Sequence, residues 1–223
     1  MATLKQERAS TTTRIKGLLS SQGLRVTSLT NLLEQLGILR LWDGSPIPPG
    51  LRQRVLRVYA HHQFLSEQIA QVEAERRAQL QDSSDASIDK VYQLMLLKGI
   101  GINGSWLLVM EFFGWRAVKN RREVGGLAGL TPTPYQSGES AREQGISKSG
   151  TRHVRWMITE LAWSWLRFQP ASALRVWFRE RFAGGGKRLR RIGIVAMARK
   201  LLIALWRFLE TGVIPEGAVL KEG

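Results

Sequence analysis

Between Gly125 and Arg155 the sequence GGLAGLTPTPYQSGESAREQGISKSGTRHVR sets four hydroxyl groups among cations. The hydroxyls are Ser137, Ser140, Ser147 and Ser149, and the cations are Arg142, Lys148, Arg152 and Arg155. Glycines and the prolines Pro132 and Pro134 interrupt regular structure upstream, so the stretch is expected to form a glycine-rich loop. A serine oxygen attacking phosphorus needs little acid–base apparatus when cations hold the phosphate in line and neutralise charge on its equatorial oxygens. Guanidinium forks suit that role. The residue types therefore point to cleavage of a phosphodiester.

Other catalytic arrangements are poorly supplied. His153 lies beside Arg152, but no aspartate follows Asp89, so a Ser-His-Asp set cannot be completed in this part of the chain. Glu139, Glu143 and Glu160 are the nearby carboxylates. His61 and His62 are neighbours, about 100° apart on a helix, and cannot both face one ion. With no cysteine, disulfides, thiol chemistry and zinc fingers are excluded. A metal-independent serine attack is the reading these residues favour, with no cofactor held by this chain.

Charge identifies the partner class. Residues 1–90 carry 12 Lys/Arg against 9 Asp/Glu, whereas residues 91–223 carry 21 against 9, so most of the net +15 lies in the second part. A phosphate backbone is the expected partner of such a field. Two further cationic clusters fit it: Arg116, Lys119, Arg121 and Arg122 before the serine loop, and Lys187, Arg188, Arg190 and Arg191 after three glycines. Four cations at a helix start oppose the macrodipole, which makes an anionic partner more plausible.

Nearly every segment has helical spacing, giving an all-α expectation. Two short helices are expected at 4–21 and 28–39, and the turn-rich WDGSPIPPG at 42–50 marks a boundary. From 51 to 80 the residues Leu51, Val55, Val58, Leu65, Ile69 and Val72 recur in steps of three and four, with only His62 out of pattern, a coiled-coil-like seam. Such a seam serves equally for packing within one subunit. Asp82 to Asp85 should end that helix and cap the next. In VYQLMLLKGIGINGSWLLVMEFFG two apolar helices meet at Gly99-Ile100-Gly101, a helix-hairpin-helix pattern in which Lys98, Gly99 and Gly101 could meet a phosphate; a tight packing turn is the alternative. Trp156, Trp163, Trp165 and Phe168 read as one buried helix face. The segment 192–209 is broken by Arg199 and Lys200 and the start has no apolar signal core, so a cytoplasmic protein without membrane contact is expected.

Taken in order, GIG at 99–101, GLTP at 129–132, SG at 137–138 and GISKSGTRHVR at 145–155 resemble the C-terminal transposase domain of the DEDD-type insertion-sequence transposases, the bridge-RNA-guided serine recombinases. The resemblance covers roughly residues 90 to 210. It implies DNA transposition, a serine joined covalently to DNA at the position of Ser137 with Ser140 as rival, and phosphate contacts from Arg142, Lys148, Arg152 and Arg155. It also implies a structured guide RNA, a homo-oligomer joined through the 51–80 seam, and an RNase-H-like domain whose acidic quartet binds divalent metal such as Mg. That domain should precede RIKGLLSSQGL at 14–24, so this copy reads as truncated, and metal is expected only with the missing part. Three regions follow: a helical remnant at 1–45, a coiled-coil-like helix at 46–84 and the transposase domain at 85–223. An inactive fragment that only binds nucleic acid and oligomerises is the alternative function.

Overall fold

The computed structural model describes residues 1–81, 85–137 and 140–221, except for the side chains of residue 2 and residues 134–144. The chain divides into two compact units, Met1–Asp82 and Ser83–Gly223. Helices dominate both, so the fold class is all-α as the spacing predicts.

The first unit holds α1 (Ala2–Ser20), α2 (Leu32–Ile38) and α3 (Pro49–Gln81). Pro49 opens α3, where a missing amide hydrogen costs nothing because first-turn amides have no intrahelical acceptor. The expected long helix is continuous, but its seam faces inward within the chain. Helix α1 runs antiparallel along α3: Ile15 and Leu19 share a core with Val55, while Lys5 Nζ reaches Glu73 Oε1 at 2.8 Å. Leu51 and Val58 pack on that core, and Leu65 and Ile69 are also buried. The seam expected to join two copies is thus taken up by α1 of the same chain. For the same reason the segments 1–45 and 46–84, expected as separate regions, form one unit.

In the second unit α4 (Ala86–Met95) and α5 (Ile102–Leu108) are followed by a π-helical turn at Val109–Phe113 and by α6 (Arg121–Leu127). Strands β1 (Pro132–Ser137) and β2 (Ser140–Ile146) come next, then α7 (Arg152–Phe168), α8 (Ala173–Phe182) and α9 (Lys187–Thr211). Polar caps set the helix starts. The Asp85 carboxylate accepts from the Ser87 amide at 2.7 Å, and Asn120 Oδ1 accepts from the amides of Arg122 and Glu123 at 3.0 and 3.1 Å. Helix α9 is the spine. Its face Ile194, Met197, Ala198, Leu201, Leu202, Leu205 and Phe208 is buried, and α4, α6, α7 and α8 all contact it.

The turn at 96–101 is pinned from two sides. Ser164 Oγ donates to the Gly99 carbonyl at 2.6 Å, and the buried Gln169 donates to the carbonyls of Lys98 and Val219 at 2.7 and 2.9 Å. Lys221 Nζ donates to the Ile100 carbonyl at 2.9 Å. Of the aromatics on α7 only Trp165 is fully buried, its indole donating to Ser172 Oγ at 2.8 Å. Trp156, Trp163 and Phe168 are 50%, 43% and 41% exposed, so the single buried aromatic face expected of this helix does not form. Among the described residues no helix is long and apolar enough to cross a membrane.

Candidate nucleic-acid interface

The expected glycine-rich loop is a β-hairpin. Its strands are antiparallel, pairing Pro132 with Ile146 and Ser137 with Ser140, with an irregularity between Pro132 and Pro134. Prolines are tolerated because a two-stranded ribbon leaves one edge of each strand unpaired and because the irregularity relaxes the ladder. The backbone of Ser137, Ser140 and Arg142 is part of these strands, and their side chains lie outside the description.

Two glycines anchor the hairpin. The Ser147 amide donates to the Thr131 carbonyl at 2.9 Å, and the Lys148 amide to the Gly129 carbonyl at 3.1 Å. At this crossing the backbones nearly touch: a Cβ on Gly129 would lie 2.7 Å from the Gly150 nitrogen, and one on Gly150 would lie 2.0 Å from the Leu127 carbonyl oxygen. Gly129 has φ +65, where glycine is favoured. Arg155 closes the anchor, its guanidinium donating to the carbonyls of Gly150 and Ala128. Arg155, expected as a phosphate contact, ties the hairpin base to α7 through one nitrogen of its guanidinium. Lys148 takes φ +55, a left-handed conformation costing about 1–2 kcal/mol for a residue with a Cβ.

Beside this base lies a groove of about 890 Å³. One wall comes from Arg121 and Arg122 of α6 with Leu130, Pro132, Ile146 and Lys148 of the hairpin base. The other is the outer face of α9, where Arg188, Arg191, Ile192, Val195 and Arg199 follow one another in steps of three, one, three and four and so fall on one stripe. Lys200, Ile203 and, from α8, Trp177 complete it. Seven cations line the groove, and among the described residues no acidic side chain does.

Two details show how the cations are accommodated. Gly125 leaves room for Arg199, since a Cβ there would lie 2.8 Å from Arg199 Nε, a buried donor with no acceptor among the described residues. Lys200 Nζ sits 4.7 Å from the centre of the Trp177 ring, a cation–π contact.

The structure thus brings together Arg121, Arg122, Lys148, Arg188 and Arg191 of the residues singled out in the sequence. Lys187 and Arg190 are exposed on α9 but do not line the groove. Arg152 is exposed on the first turn of α7, and Lys98 is exposed on the 96–101 turn, whose Gly99 faces α7. His153 Nδ1 lies 3.8 Å from Glu111 Oε1. Arg199 and Lys200, read at first only as interruptions of an apolar run, were missed; their spacing from Arg188 and Arg191 was the available signal. Among the described residues no three His, Asp or Glu side chains gather as metal ligands.

Residues 91–177 match the transposase family IS116/IS110/IS902. That segment runs from α4 into α8 and contains the whole hairpin, its glycine anchor and the α6 wall of the groove, while α9 lies beyond it. A protein of Sinorhizobium fredii (strain NBRC 101917 / NGR234) named as a transposase, y4rJ, is 41% identical over 232 aligned residues, 98% of this chain and 57% of that protein. The transposase for insertion sequence element IS1328 of Yersinia enterocolitica is 26% identical over 159 residues, covering 71% of this chain and 46% of that protein. The chain therefore spans less than two thirds of the length of either transposase relative.

Proposed function

We propose that the second unit is the strand-joining part of a DNA transposase, with Ser137 as nucleophile. The Ser137 oxygen bonds to phosphorus as one phosphoester P–O bond breaks, the serine proton ends on the departing oxygen, and a phosphoserine–DNA link holds one strand end. Attack by a hydroxyl of another strand end reverses the step and returns the proton to serine. Arg142, Lys148 and Arg152 hold phosphates around the reacting one. The observation that carries this reading is a two-stranded ribbon pairing Ser137 with Ser140, in the family-matched segment, whose base opens onto a groove of seven cations.

The resemblance to bridge-RNA-guided recombinases adds a structured guide RNA, a homo-oligomer and an acidic, Mg-binding domain as further parts of the proposal. In that scheme the first unit adjoins the acidic domain, and Ser140 is the rival nucleophile. Nuclease-treated, denatured protein recovered after incubation with Mg and element-end DNA should carry a nucleotide mass on the peptide containing Ser137. An adduct on the Ser140 side alone would move the nucleophile by three positions. Robust nucleic-acid binding with no adduct would reduce the role to recognition.

A further inference from the structure

We infer that the outer face of α9 carries a track for an unpaired DNA strand, with phosphates on the cationic rims and bases on an apolar floor. The inference rests on the DNA reading above and specifies which form of DNA this groove takes.

A groove built only for duplex phosphates needs cations and no floor. This one has, along its α9 wall, Ile192, 53% exposed, with Val195 and Ile203 as an apolar floor beside the cations. Exposed aliphatic surface there gains nothing from a phosphate but gains from the face of a base. At about 890 Å³ the hollow has the size of pockets that take small ring systems.

The hollow does not end at Lys200. A second one, about 930 Å³, shares Arg121, Lys200 and Ile203 with the first and continues along α9 past Trp206 and Arg207. From Arg188 to Arg207 the helix rises about 28 Å, enough for about eight nucleotides at 3.4 Å each. Each hollow also holds a buried donor with no acceptor among the described residues, Arg199 Nε in the first and Trp206 Nε1 in the second. A phosphate or base oxygen in the track could serve either donor.

The chemistry of the lining selects further. Among the described residues of the first hollow every polar side chain is Arg, Lys or Trp, all donors. These donors can serve phosphate, sugar and base oxygens alike, so the first hollow reads little sequence, while the second adds Asn120, Thr211 and Glu216.

Fluorescence anisotropy of the full chain with a labelled 12-nucleotide dT strand and a 12-base-pair duplex tests this. Ile192→Ser with Val195→Ser, which leaves charge unchanged, should weaken dT binding at least tenfold and duplex binding less than twofold. Equal losses for strand and duplex, or no loss for either, would overturn the inference while leaving DNA binding intact. Failure of the wild-type chain to bind either one at low salt would instead remove the DNA reading beneath it. In the wild-type chain, photocrosslinks from a bromodeoxyuridine strand should map to residues 188–207. Crosslinks confined elsewhere would overturn the track without reliance on any variant.

Discussion

Gly150 has no room for a methyl group, because a Cβ would sit 2.0 Å from a backbone oxygen that cannot step aside. Gly150→Ala should therefore destabilise the second unit by about 3 kcal/mol or more, measured by urea unfolding. Gly126→Ala is the contrasting case. Nothing lies within 4 Å of a Cβ there and the residue is within α6, so alanine should stabilise by up to about 1 kcal/mol. Arg155 separates two roles in the same way. Arg155→Met should cost about 1.5–3 kcal/mol of stability by leaving the Gly150 and Ala128 carbonyls without their charged donor. A phosphate clamp would lose DNA affinity with stability unchanged. The sequence block GISKSG, met first as a place for nucleophile and cations, turns out to owe its glycine at 150 to backbone crossing. Nothing in its own spacing reveals that, since the crossing partner is Gly129, twenty-one residues earlier.

Among the elements, the long helix α3 is legible in the sequence because steps of three and four persist over many turns; what the steps cannot say is which surface covers them. Helix α1 covers them, and its own apolar spacing is sparse, with Ile15 and Leu19 near its end. Val55→Asp would put a carboxylate into that core and should unfold the first unit, a loss of about 4 kcal/mol or more by thermal or urea denaturation. His62 lies on the same helix. Burial first, and then the charge of Arg8, hold its imidazole below the ordinary 6.5. Unfolding restores the ordinary value, so the unfolded chain takes up a proton at a higher pH than the folded chain does. This contribution to stability is complete above about pH 6.5 and is lost as pH falls through 6.5 towards the lower folded value. Melting of the first unit between pH 7.5 and 5.5 should drop less in His62→Phe than in the original chain. The hairpin was not legible at all. Pro132 and Pro134 and the glycines read as loop punctuation, and the pairing that overrides them is a tertiary choice made by the crossing at Gly129.

For the whole molecule, charge and fold divide at nearly the same place. Residues 91–223 hold 21 of the 33 Lys/Arg, and seven of them, from α6, the hairpin base and α9, converge on one groove that lines up no opposing carboxylate among the described residues. Binding to nucleic acid should fall at least tenfold between 50 and 200 mM salt through counterion release, and the slope should shrink in Arg188→Gln with Arg191→Gln. A salt-independent affinity would argue against phosphate contacts. That the second part is the polyanion-binding one was legible from composition alone; that Arg199 and Lys200 belong to it needed the helix that aligns them with Arg188. The central claim is the covalent step, and the adduct assay with Ser137→Ala tests it most directly. Alanine removes the hydroxyl and keeps the backbone, so the variant should bind element-end DNA as the original chain does but show no protein–DNA band that survives denaturation. An undiminished band in Ser137→Ala would contradict the account.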